Sequence, residues 1–94
     1  MLSLRQLREN KNSVTAILFR KDGYTFEGIL RWLMDRGFSC EGYEETEHYY
    51  VFKQNTADEF NSFEFHQVED FNITVEIGSK EDGEITRRGV YPQS

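Results

Sequence analysis

"TFEGILRWLMDRGF", residues 25–38, decides how the rest of the chain can fold. Its apolar residues Phe26, Ile29, Leu30 and Leu33 recur at i, i+3, i+4 and i+7, the single stripe of an amphipathic helix. Thr25 stands where its hydroxyl can cap the first turn, and Gly37 where a left-handed residue can close the last one. Gly28 costs such a helix about 1 kcal/mol relative to alanine, so close backbone packing onto a sheet is expected there. Trp32 falls on the flank of the stripe.

Working outward, "SVTAILF" at 13–19 is β-branched and apolar enough for a strand, and "RKDG" at 20–23 supplies a turn. Beyond the helix, Phe38 to Tyr43 reads as a short strand, "EETE" at 44–47 as a turn and His48 to Lys53 as a second strand. Alternation in that strand separates His48, Tyr50 and Phe52 from Tyr49, Val51 and Lys53. Aromatic surface on both sides places it inside a sheet. "NTADEF" at 55–60 is expected as a capped helical turn, with Asp58 and Glu59 suiting the helix dipole. Phe63 and Phe65 alternate next. Then Phe71, Ile73, Val75 and Ile77 alternate with Asn72, Thr74 and Glu76, the pattern of a half-buried strand. At the start, "LSLRQLREN" at 2–10 predicts a short helix packing Leu4 and Leu7 weakly.

This order predicts an α+β fold: one main helix as a single layer on a largely antiparallel sheet of four to five strands, β-α-β-β-β-β. The chain has 94 residues, enough for one core, and lacks repeats or a linker. Residues 1–78 are expected as the compact domain. The Gly-rich, charged residues 79–94, whose large apolar side chains are Ile85, Val90 and Tyr91, are expected as a mobile hairpin or tail.

Aromatics make up 15% of the chain, eight of them Phe, and such rings compensate for few aliphatic side chains. Cys40 is the single cysteine, so no internal disulfide is possible and a reducing compartment fits. The absence of a signal-like run or a long apolar stretch leads to the expectation of a soluble, cytoplasmic protein with no membrane partner. Net charge is −6 and unevenly spread: residues 1–40 carry seven Lys/Arg against four acids, residues 41–94 four against thirteen. An acidic balance argues against general nucleic-acid binding, which needs a basic footprint.

The run "ILFRKDGYTFEGILRWLMDRGF" at 17–38, followed by "YEETEHYYVFKQ" at 43–54, an F-x-F and "ITVEIG" at 73–78, resembles a small domain of bacteriophage and prophage proteins. That domain occurs alone or beside head-maturation (prohead) protease and related morphogenesis domains. The matching positions are Trp32, Leu33, Gly37, Phe38, Glu45, Thr46, Tyr49, Tyr50, Phe52, Lys53, Gln54, Ile77 and Gly78. Val51 stands where the family pattern has Arg, and His48 where it has Asn. The resemblance implies a phage setting, and it implies neither catalytic residues nor a cofactor.

Glu41, Glu44, Glu45 and Glu47 offer oxygen ligands for a divalent cation, but they lack EF-hand order and the required glycine, so a solvated acidic tip is the better account. Glu69 with Asp70, and Glu81, Asp82 and Glu84, read the same way. Together these acids can form a negative face that meets a basic partner. Cys40, His48 and His66 lack an activating motif, so no catalytic or metal site is assigned. Tyr43 and Tyr49 could stack bases, yet only Lys53 is near in sequence.

The expectation is therefore a non-enzymatic protein-binding module using Glu44, Glu45, Glu47, Tyr43, Tyr49 and Trp32. It would meet a phage structural protein in virion morphogenesis, or inhibit a host defence enzyme. The alternative is a nucleic-acid-binding module using exposed Tyr and the basic N-terminal third, with Arg5, Arg8, Lys11, Arg20, Lys21, Arg31 and Arg36. Edge pairing into a homodimer is a further expectation, with Phe71 to Ile77 as the suspect strand if it lies at an edge.

Overall fold

The computed structural model describes residues 2–55, 60–68, 72–80 and 86–88. Helix α1 (Leu4–Glu9) leads through a 3-10 turn at Lys11–Ser13 into strand β1 (Val14–Arg20). Helix α2 (Phe26–Asp35) follows, then β2 (Gly42–Glu45), β3 (Tyr49–Lys53), β4 (Ser62–Gln67), β5 (Ile73–Ser79) and β6 (Thr86–Arg88). The strands form one sheet in the order β2-β3-β1-β5-β4-β6. Every pairing from β2 to β4 is antiparallel, and β6 adds to β4 in parallel. The fold is α+β, one main helix on a largely antiparallel sheet. Residues 56–59 of the helical turn expected at 55–60, Phe71, and the tail apart from 79–80 and 86–88 lie outside the described residues.

The helix forms where the stripe predicts. Thr25 Oγ1 accepts the Gly28 N–H at 3.1 Å, and Gly37 closes the end at φ 76°. Ile29 and Leu33 are buried against Ile17, Phe19, Phe52, Ile73 and Val75, with Phe38 and Val68 completing the core. Phe26, the first residue of the stripe, remains 39% exposed. Gly28 does not touch the sheet; a Cβ there would meet only the Thr25 hydroxyl, so the expected close packing is corrected.

Helix α1 packs better than expected. Ser3 accepts the Gln6 N–H at 3.1 Å while Gln6 Oε1 accepts the Ser3 N–H at 2.9 Å, a capping box that sets the helix entry. Leu7 is thereby driven into the core, at 1% exposure.

Three strand expectations are also corrected. Glu44 and Glu45 belong to β2, paired with Val51 and Tyr50, so the turn is displaced to Thr46–His48. β5 is interior, between β1 and β4, and so cannot be a dimerising edge. It is also buried on both faces rather than half-buried, because Thr74 and Glu76 are only 7% and 8% exposed. A bulge at Thr15 explains part of this. Val14 pairs with Ile77 while Ala16 pairs with Glu76, leaving Thr15 as the extra residue. Val14 is thereby turned into the core under α2. Thr15 Oγ1 donates to Glu76 Oε1 at 2.6 Å, so that carboxylate is buried with a partner.

Candidate functional site

Alternation along the β2–β3 hairpin sorts the sequence-predicted residues onto two faces. Tyr43 lies opposite Phe52 and Glu45 opposite Tyr50, on the side covered by α2. Glu44 lies opposite Val51 on the other side, where Tyr49 packs against Ala16, Leu18 and Val51. Tyr43 and Tyr49 are therefore on opposite faces, so the pair does not form one stacking platform. Glu44, Glu45 and Glu47 likewise do not form one negative face.

Each of those acids has a basic neighbour. Lys53 Nζ donates to Glu44 at 2.9 Å, Lys21 Nζ to Glu45 at 2.6 Å, and His48 stands 3.8 Å from Glu47. Lys53 and Lys21 offset Glu44 and Glu45, which shortens the reach of the acidic turn, since exposed charges are already screened within about 10 Å at 0.1 M salt.

What the fold does bring together is aromatic. Phe26, at the start of α2, meets Tyr43 edge-on with ring centroids 5.2 Å apart, and Tyr50 at 5.5 Å. Phe52 lies beneath, 5.3 Å from Tyr43 and 6.1 Å from Phe26. Phe26 and Tyr43 are each 39% exposed, so the rings form a shelf at the rim of the sheet. Glu45 and Lys21 border it. The Tyr43 hydroxyl donates to Glu45 Oε1 at 2.5 Å, and Lys21 lies 5.3 Å over the Tyr50 ring. Donation to Glu45, aided by its negative charge, pushes the Tyr43 phenol up to about 12. Lys21 first and Tyr43 second hold the Glu45 carboxyl below its ordinary value.

Comparison with protein families, with curated proteins and with solved structures finds no match to this chain.

Trp32 is half-buried: Phe38 stacks on it at 6.1 Å and the Arg36 guanidinium lies 4.4 Å over its ring. Much of its surface is already engaged within the chain. Between α1 and the end of α2, a cavity of about 300 Å³ is lined by Leu4, Leu7, Arg8, Asp35, Arg36 and Phe38. A second hollow, of about 320 Å³, runs along the outer face of α2 past Leu30 and the exposed Met34.

Cys40, His48 and His66 are not assembled into a reactive group. His66 pairs with Glu64 at 3.1 Å on β4. Three strand spacings separate β4 from β3, roughly 14 Å at about 4.8 Å each. Among the described residues, no three His, Cys, Asp or Glu side chains gather where they could hold a metal ion. Glu69, Asp70, Glu81, Asp82 and Glu84 lie outside those residues. No helix among the described residues is long and apolar enough to cross a membrane.

The basic N-terminal third is also dispersed. Arg5 pairs with Glu9, Arg20 with Asp22 and Lys21 with Glu45, while Lys11 sits over Phe38. Sequence reasoning missed the roles of Phe26 and Lys21. The signal for Phe26 was its place as the first helical residue, where the stripe runs out over the hairpin.

Proposed function

We propose that this chain is a protein-binding module, acting by docking rather than by catalysis, whose partner seats on the Phe26–Tyr43 shelf. The observation that carries the proposal is the exposure of these two rings side by side, 5.2 Å apart, with an ion-paired polar border. Aromatic anchors with a polar rim are the usual makeup of the energetic centre of an interface. In the phage setting implied by the sequence resemblance, a capsid or scaffold protein suits an apolar anchor of this kind. An inhibitor that imitates nucleic acid is less favoured, because Glu44 and Glu45 are locally paired and face opposite ways.

The test is capture of the partner from a native-host lysate, followed by direct titration of the identified protein at several salt concentrations. Loss of binding with Tyr43→Ser, together with a shallow salt dependence, supports the anchored reading. A steep salt dependence, with Glu44, Glu45 and Glu47 charge reversal abolishing binding while Tyr43→Ser leaves it intact, contradicts it.

A further inference from the structure

Strand β2 ends the sheet on one side, so half of its backbone meets no other strand among the described residues. The Thr46 N–H donates to Tyr49 O at 2.9 Å. Antiparallel alternation then turns the backbone groups of residues 42, 44 and 46 toward β3, and those of Tyr43 and Glu45 outward. The Tyr43 N–H is used locally, donating to Glu41 O at 2.8 Å. The outward ladder therefore consists of the Glu45 N–H and the carbonyls of Glu45 and Tyr43.

Such an edge invites a second copy of the chain. Its charges argue against that occupant. Two antiparallel β2 strands would bring Glu41, Glu44, Glu45 and Glu47 against the same residues, and like charges directly opposite are destabilising. Lys53 and Lys21 offset Glu44 and Glu45, so among the described residues the uncompensated charge sits at the two ends of the strand, at Glu41 and at Glu47, whose described neighbour is His48.

Resting on the docking function above, we propose that β2 takes up an extended segment of the partner as an added antiparallel strand. This segment has an apolar or aromatic residue opposite Tyr43 and Lys or Arg at both ends. The partner residue facing Glu45 exchanges both main-chain hydrogen bonds with it. Two residues further on, a side chain of the same face falls over Tyr43 and Phe26. The basic ends meet Glu47 and Glu41. Main-chain bonds supply affinity in this mode and alternate side chains supply specificity.

The test is an NMR titration of the isotope-labelled chain with acetyl-Lys-Thr-Val-Thr-Phe-Thr-Lys-amide, with the same peptide N-methylated at Val, and with a version whose two Lys are Glu. Saturable shifts centred on the Glu45 and Tyr43 amides are expected. N-methylation, which removes a ladder bond and clashes with the edge, should weaken binding by about tenfold or more. The Glu version should bind more weakly still at low salt. Equal binding of the N-methylated peptide with shifts confined to the Phe26 and Tyr43 rings overturns strand addition and leaves the shelf in place. Shifts of the Glu45 amide with unmoved rings overturn the shelf instead. Absence of saturable shifts with all three peptides, or edge shifts that follow protein concentration alone, overturns the proposed occupant.

Discussion

The Tyr43 hydroxyl donates to Glu45 at 2.5 Å, from two residues earlier on the same edge strand. Because Lys21 holds the other carboxylate oxygen at 2.6 Å, the phenol is tied to a carboxylate that is itself fixed in place. The Tyr43 phenol, pushed up to about 12, is protonated in the folded chain over a range where the unfolded chain ionises. Its contribution to stability is therefore complete below the ordinary tyrosine range and is lost as pH rises through about 12. Glu45 has the opposite sign: its lowered value gives a contribution present above the ordinary carboxylate range and lost as pH falls through the folded value. Both effects are small at this exposed position. Ultraviolet titration of wild type against Tyr43→Phe should reveal the late-ionising phenol, and Glu45→Gln should bring it down toward the ordinary range.

Aromatic truncations should divide into two groups. Phe52 is fully buried beneath the shelf, and Phe52→Ala should cost about 3–5 kcal/mol through lost transfer energy and the cavity left behind. Phe26→Ser removes a half-exposed ring and its edge contacts, for which about 1–2 kcal/mol is expected. Urea denaturation of both variants checks the ratio.

Thr15 donates to a buried carboxylate across the bulge, at 2.6 Å from Glu76. Thr15→Val keeps the side-chain shape and removes the donor. A hydrogen bond to a charged group is worth about 1.5–3 kcal/mol, so the unfolding free energy should fall by that amount, read as a lower denaturation midpoint with an unchanged slope. An effect below about 0.5 kcal/mol would mean that the bulge is held by packing alone.

Gly37 sits at φ 76° where α2 ends. A Cβ there meets left-handed backbone strain, so Gly37→Ala should destabilise by about 1–2 kcal/mol. Gly37→Asn should lose less, because asparagine visits this conformation more readily. The two midpoints, measured side by side, separate backbone strain from contact with the Lys11 side chain, whose Nζ would lie 2.9 Å from the new Cβ.

The elements legible in the sequence were those fixed by local pattern. The stripe through Ile29 and Leu33, the Thr25 cap and Gly37 describe α2 from within its own residues. Tyr49 and Tyr50 parted to the two faces that alternation assigned them. Elements fixed by distant partners were not legible. Glu44 and Glu45 have weak strand preference, yet they extend β2 because Val51 and Tyr50 pair with them and Lys53 and Lys21 offset their charge. Glu76 looked like a solvent-facing position, and its burial depends on Thr15, sixty-one residues away. The site suffered from the same limit. Three acids adjacent in sequence look like one patch, whereas a strand turns neighbours to opposite faces. Phe26 looked like core because its spacing matched the stripe, but the sheet beneath it ends at β2.

Docking on the Phe26–Tyr43 shelf requires that these two rings form a binding surface that the fold can spare. The most direct measurement is the partner affinity of the Phe26→Ser, Tyr43→Ser double variant, with its unfolding free energy determined on the same preparation and Met34→Ser as a control on the outer face of α2. A loss of affinity of about a hundredfold or more is expected, as for interface anchors, in a chain that still unfolds cooperatively, with unchanged affinity for Met34→Ser. A folded double variant that binds as tightly as the wild type would contradict docking on this shelf.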